Sequence, residues 1–367
     1  MKRRSFLLGS GAAIGLAGTA AYGLSTSQII KPQRLAKRSP LAFPPHIDAR
    51  SSGEFSINAQ RGITNFVPGA PSQTLGFSQS YLGPVVRVAA NGTTAAKVSN
   101  ELPFAVTSHW HGLIIPGDQD GGPHQLIDPG TTWSPELTIN QDPAMTWFHS
   151  HVHGETATQV YAGLAGVMIL DDGKDAERGL PEDYGVDDLV LVIQDKFLDG
   201  AGKLAYNSSM QSRMGGFIGN TLLVNGQVDA VASVPSSMVR LRLLNASNAS
   251  FHVLEFSDGR DFYIVATDSG YLTKPVAVKR LRFSPGERVQ VLVDFSDGNE
   301  TVLLSSEETP MDASGFMGAI RRTTSALAGK TPVLAFQTDQ SLSAKIRDIP
   351  NSLDGEVYTG GAQIAKT

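Results

Sequence analysis

Short runs in which apolar and polar residues alternate recur along most of this chain, separated by glycine, asparagine, aspartate and proline. Val85-Val86-Arg87-Val88, Leu189-Val190-Leu191-Val192-Ile193, Val239-Arg240-Leu241-Arg242-Leu243 and Val289-Gln290-Val291-Leu292-Val293 are examples. A period of two places successive side chains on opposite faces of a β-strand, and no stretch carries helical periodicity over several turns. The pattern predicts an all-β chain built from Greek-key sandwiches or barrels.

The runs also repeat at a larger scale. A strand ending in Lys97-Val98-Ser99-Asn100 leads to Thr107-Ser108-His109, and Asp128-Pro129-Gly130-Thr131 then opens a strand ending near Ile139. In the second half Arg242-Leu243-Leu244-Asn245 leads to Ser250-Phe251-His252, and Ser284-Pro285-Gly286-Glu287 opens a strand ending near Phe295. Two copies of one β-sandwich, over 45–172 and 185–338, account for this economically, with the boundary in the charged and glycine-containing stretch around Asp171 to Asp187. A linker over 24–44 precedes them and a further linker-like segment over 339–367 follows.

Composition narrows the class. The 367 residues are 41% hydrophobic and 18% charged, which excludes a disordered or collagen-like chain, while 38 glycines and 20 prolines suit a turn-rich β protein. The formal charge is −5, and removal of Lys2, Arg3 and Arg4 with a signal segment takes it to −8, an acidic body that argues against nucleic acid. Residues 1–23 set Arg3-Arg4-Ser5-Phe6-Leu7 before a weakly apolar run too short to span a bilayer comfortably. This predicts a twin-arginine-type export signal, a periplasmic product and no stable membrane span after processing. Cysteine is absent, which excludes disulfides, thiolate nucleophiles, iron–sulfur clusters and thiolate-ligated copper.

Histidine carries the candidate chemistry. Six of the eight histidines lie between His109 and His153, five of them in Ser108-His109-Trp110-His111-Gly112 and Trp147-Phe148-His149-Ser150-His151-Val152-His153-Gly154. On a strand His109 and His111 project together, as do His149, His151 and, by the same alternation, His153. Neighbouring strands carrying such pairs would gather four imidazoles in one small volume. Neutral imidazole suits copper, zinc, iron and nickel, and an all-nitrogen set without carboxylates leans toward copper. His46, His124 and His252 lack such company and default to surface or core roles.

At these residues the chain resembles the multicopper oxidases, particularly bacterial cuprous oxidases and laccases. The resemblance rests on His109-Trp110-His111-Gly112-Leu113, Asp120-Gly121-Gly122-Pro123, Trp147 to Gly154 and Gly163-Leu164-Ala165-Gly166, with Asp195-Lys196-Phe197 and Asn220 to Gly226 in the second half. It runs from about residue 45 to about 337 and covers the first two of the family's three cupredoxin domains. It implies that His109 binds the type 2 copper of a trinuclear cluster, that His111, His149 and His151 bind its type 3 pair, and that His153 is a packing residue near them. The family oxidises phenolic or cuprous donors and reduces oxygen to water. Its remaining cluster ligands and its type 1 copper cysteine come from a third domain, whose H-x-x-H-x-H and H-C-H motifs do not occur here. The expectation is therefore a truncated form that binds copper and is inactive alone, with copper ions, a separately encoded third domain or a second copy as partners. The alternatives are an exported cell-division scaffold of the same fold without catalysis and a periplasmic copper-binding protein. Met210 and Met214, four apart, read as core packing.

Overall fold

The computed structural model describes residues 37–206, 216–307, 329–343, 346 and 348–355. The export-signal reading of 1–23 and the pair Met210 and Met214 fall outside the described residues. The alternating runs form strands at Val85–Ala89, Asp188–Leu198, Met238–Asn245 and Arg288–Asp294. One seven-residue helix, Thr156–Ala162, is present among the described residues.

The strands make two sandwiches. In the first, one sheet runs His46–Asp48, Val85–Ala89, Ala165–Asp171, Ala144–His149, His109–His111, and the facing sheet runs Pro71–Phe77, Glu54–Asn65, Gly92–Asn100, Thr132–Trp133, with Glu136–Ile139 also paired to Gly92–Asn100. In the second, a seven-stranded sheet centred on Asp188–Leu198 and Met238–Asn245 faces a six-stranded sheet containing Ala230–Val234, Thr331–Thr338 and Thr301–Glu307. Ser39–Pro40 runs parallel to Ala230 and Val231 of the second sandwich, whereas His46–Asp48 pairs with Val85–Arg87 of the first. The N-terminal approach therefore ties the two together.

Burial explains which strands alternate and which do not. In Glu54–Asn65 only Phe55, Ile57 and Ala59 enter the first core, where they meet Val86, Val88, Trp110, Phe148 and Met168. Ala165–Asp171 is buried throughout because Ala165, Val167 and Ile169 turn outward onto Val190, Val192 and Leu244 of the second sandwich. Leu189, Leu191 and Ile193 fill the second core from the same strand that gives Val190 and Val192 to the junction. Sheets covered on both faces read as continuous apolar runs.

The repeat extends to individual hydrogen bonds. Asn100 Nδ2 donates to the carbonyls of Phe104 and Ile127, its Oδ1 accepts from Leu102 N–H, and its carbonyl accepts from Gly130 N–H. Asn245 does the same with Ser250, Phe283, Ser247 and Gly286. In each copy one buried asparagine ties a strand end to the x-Pro-Gly turn that opens the next strand. Such a fully satisfied buried amide fixes loop geometry that apolar packing leaves free.

The charged stretch between the sandwiches packs inward. Asp175 pairs with Arg240 at 2.7 Å and Arg242 at 3.1 Å, Asp188 with Arg242 at 2.6 Å and with Arg87 of the first sandwich at 3.2 Å, and Arg178 spans Asp172 and Asp354. The Arg240 and Asp188 side chains have no exposure. Burying charge is costly unless it is paired, and this network pairs its charges across both sandwiches and so ties the junction together. The segment near Ile349 to Leu353 also folds back, with Leu353 N–H on the Thr273 carbonyl at 2.8 Å.

Candidate metal centre

His109–His111 is an edge strand paired antiparallel to Ala144–His149, with His109 opposite His149, Trp110 opposite Phe148 and His111 opposite Trp147. Alternation then sorts the motif residue by residue. Trp110 and Phe148 enter the core, and His109, His111, Trp147 and His149 share the other face. Trp147 lies against both imidazoles across that face, 4.2 Å from His149 and 5.0 Å from His111 between ring centroids.

Three histidines converge. One ring nitrogen from each of His109, His111 and His149 lies within 4.8 Å of the others. His151 joins at ring-centroid distances of 5.3 Å from His109 and 5.7 Å from His149. The structure corrects one step of the alternation argument. The strand ends at His149, so His151 reaches the cluster from the following turn, whose backbone is held by His151 N–H on Thr107 Oγ1 at 2.6 Å and Ser150 N–H on the Leu164 carbonyl at 3.2 Å. His153 is exposed, as is His124. His46 stacks on Tyr184 at 5.0 Å, and His252 is buried between Ser247 and Ser305.

Hydrogen-bond partners set the tautomers. His109 Nδ1 lies 3.0 Å from the Asp120 carbonyl and 3.3 Å from its Oδ2, and His149 Nδ1 lies 2.9 Å from the Ser150 carbonyl. A carbonyl oxygen only accepts, so each Nδ1 carries a proton, and in the neutral ring the lone pair then lies on Nε2. His111 Nδ1 faces that lone pair of His149 at 3.3 Å, an arrangement satisfied either by one shared proton or by a cation serving both nitrogens. His151 Nδ1 is buried with no hydrogen-bond partner. Burial, with smaller pushes from Arg288 and the neighbouring histidines, lowers His111 to about 4, and burial lowers His149 to about 3. Both rings are therefore neutral at neutral pH, the form that ligates a metal. All-imidazole donors, fixed tautomers and an orphaned ring nitrogen fit a copper ion, while no carboxylate oxygen joins the clustered donor atoms.

Two supports of the site lie outside the H-x-H pairs. Gly121 has φ +71°, and a Cβ there would sit 1.8 Å from the Ser108 carbonyl, so only glycine lets the Asp120 loop lie flat on the histidine strand. That contact lets the Asp120 carbonyl take both Trp110 N–H, at 3.1 Å, and His109. The second support is Arg288 with the turn before it, from the other sandwich. A Cβ on Gly286 would lie 3.7 Å from His111 Cε1. Ser284 to Glu287 read as a strand-opening turn in the sequence, and nothing local in it pointed to a histidine about 170 residues earlier.

Two cupredoxin-like sandwiches with an imidazole cluster on the edge of the first define the class of β protein to which the chain belongs. Family models described as multicopper oxidase match at residues 58–175 and 187–313. The chain belongs to the multicopper oxidase family. Among curated relatives, cell division protein FtsP of Yersinia pestis is 39% identical over 321 residues, covering 88% of this chain and 64% of that protein. FtsP of Escherichia coli K12 is 38% identical over 307 residues, covering 84% and 63%. The chain thus spans somewhat under two thirds of these relatives' length. Among solved structures, a laccase-like multicopper oxidase CueO from Ochrobactrum sp. superposes with a TM-score of 0.78 at 42% identity, covering 87% of this chain and 68% of that one. A laccase from Pediococcus acidilactici gives 0.76 at 30%, covering 91% and 68%. No helix among the described residues is long and apolar enough to cross a membrane.

Proposed function

We propose that this chain is an exported, copper-binding member of the multicopper oxidase family that holds copper through His109, His111, His149 and His151. One observation carries the proposal: one ring nitrogen from each of three imidazoles converges within 4.8 Å of the others, with a fourth ring beside them. Asp120 and Ser150 hold His109 and His149 by their Nδ1 protons, which aims the opposite nitrogens inward and raises their basicity as ligands. Trp147 covers two of the rings and keeps water from that side. Copper bound there supplies one-electron redox chemistry, the basis of the family's donor oxidation and oxygen reduction. The 367 residues contain no cysteine, so they contribute imidazoles but no copper thiolate. Export to the periplasm by the twin-arginine route is part of the same proposal and rests on Arg3-Arg4-Ser5-Phe6-Leu7.

A second reading is a role in cell division, which the names of the FtsP relatives favour. The two readings differ in what the histidines are for. Equilibrium dialysis of purified protein against copper, followed by metal analysis, separates them. Retained copper in the native chain and its loss in the His109→Ala/His149→Ala double variant supports copper binding. Equal metal content in the two, or none in either, rejects it and leaves the scaffold role.

A further inference from the structure

His109 and His149 each donate to a backbone carbonyl that fixes their rings, but among the described residues His111 has only the facing nitrogen of His149. Something else must orient it. Its ring is bounded by Trp147 on one side and by the Gly286 turn of the second sandwich on another. That turn is held by Arg288, whose side chain is only 5% exposed. Nη1 donates to the Gly286 carbonyl at 3.0 Å and pairs with Asp268 Oδ1 at 3.0 Å, Nη2 donates to the Asp268 carbonyl at 3.1 Å, and Nε donates to the Met145 carbonyl at 3.1 Å. Met145 lies on the strand that ends in His149. The guanidinium also lies against the backbone just after His111. Gly112 has φ +98°, and a Cβ there would be 2.7 Å from Arg288 Nη2.

One side chain thus bonds the backbone of the strand that ends in His149, lies beside Gly112 just after His111 and holds the turn that walls His111. We infer that Arg288 is a positioning residue for His111, transmitting the register of the second sandwich to the metal centre in the first. The inference rests on the copper-binding reading for its consequence, but its geometry stands without metal. Guanidinium is suited to the task because its planar fork serves three carbonyls at once, whereas an ammonium is a point donor.

The test uses the full chain with histidine selectively labelled with carbon-13, so that the eight imidazoles give separate ring signals. In the copper-free protein, Arg288→Met and Arg288→Lys are each expected to shift the His111 signal and leave that of His46 in place. In a competition titration with copper, both variants are expected to bind 10- to 100-fold more weakly than the native chain. Arg288→Met added to His111→Ala should cost nothing beyond His111→Ala alone. An unmoved His111 signal overturns the inference, and so does full additivity of the two substitutions. Native behaviour in Arg288→Lys also overturns it, since charge alone would then suffice. Should Arg288→Met fail to fold, the lysine variant decides the matter. If the native chain takes up no copper, the copper reading fails while the His111 signal still decides the role of Arg288.

Discussion

Replacing Asp188 by asparagine removes one charge from the centre of the junction while keeping side-chain volume. Its two oxygens serve Arg242 of its own sandwich at 2.6 Å and Arg87 of the other at 3.2 Å, with no exposure to water. Breaking a buried pair costs about 3–5 kcal/mol, because the partner is left charged in a poorly solvating place. Here each arginine keeps a second carboxylate, Asp175 for Arg242 and Asp171 for Arg87, so the lower end applies, about 3 kcal/mol. At 1.4 kcal/mol per factor of ten, that is roughly a hundredfold rise in the unfolded fraction. Urea unfolding followed by two probes is the assay. Trp110, Trp133 and Trp147 all lie in the first sandwich, so their fluorescence reports that half, while far-ultraviolet circular dichroism reports both. Because Asp188 links the halves, both midpoints should fall in the variant. A change below about 1 kcal/mol, the worth of a surface pair, would show that the network is solvated and does not lock the junction.

Other consequences follow from the same geometry. His149 has an ordinary value of 6.5 and is lowered to about 3 in the fold, so the unfolded chain takes up the proton first as pH falls, and stability is lost from about 6.5 downward. At pH 4.5, two units below 6.5, the loss from this one residue is about 3 kcal/mol, and His149→Gln should flatten the copper-free profile over that window. Parallel profiles for the two proteins would contradict this. Gly121→Ala forces a left-handed backbone onto alanine, about 1–2 kcal/mol, and drives a methyl into the Ser108 carbonyl. It should lower Tm and shift the His109 ring signal, and an unchanged His109 signal would refute the role given to that loop. Copper-loaded protein should show no intense blue thiolate absorption, since no cysteine is present, and a strong blue band in homogeneous protein would contradict the ligand assignment.

The sheets were legible because each buried face imposes its own period. Glu54–Asn65 alternates, and Leu189 to Ile193 is apolar throughout because both of its faces are covered. The candidate site was legible where ligands are local, in His109 and His111 two apart and His149 and His151 two apart, whereas the pairing that sets His149 opposite His109 is a matter of sheet register. The path of His151 was not, because period-two reasoning continues past a strand end that the turn at Ser150 decides. Asp120 opens the Asp120-Gly121-Gly122-Pro123 motif, but its grip on His109 depends on a loop folding back, and Arg288 comes from another sandwich altogether. Contacts of that kind are set by tertiary packing, which leaves no spacing in the chain. The asparagine pair Asn100 and Asn245 shows the converse, since a repeated sequence position performed a repeated task.

The central claim is that the imidazole cluster of the first sandwich is a copper site. Anomalous diffraction at the copper absorption edge, from crystals of the native chain equilibrated with copper, tests it most directly. A peak bounded by the rings of His109, His111, His149 and His151 is expected, and none there in the His109→Ala/His149→Ala variant. Peaks confined to isolated histidines such as His46, His124 or His153, with the cluster empty, would contradict it.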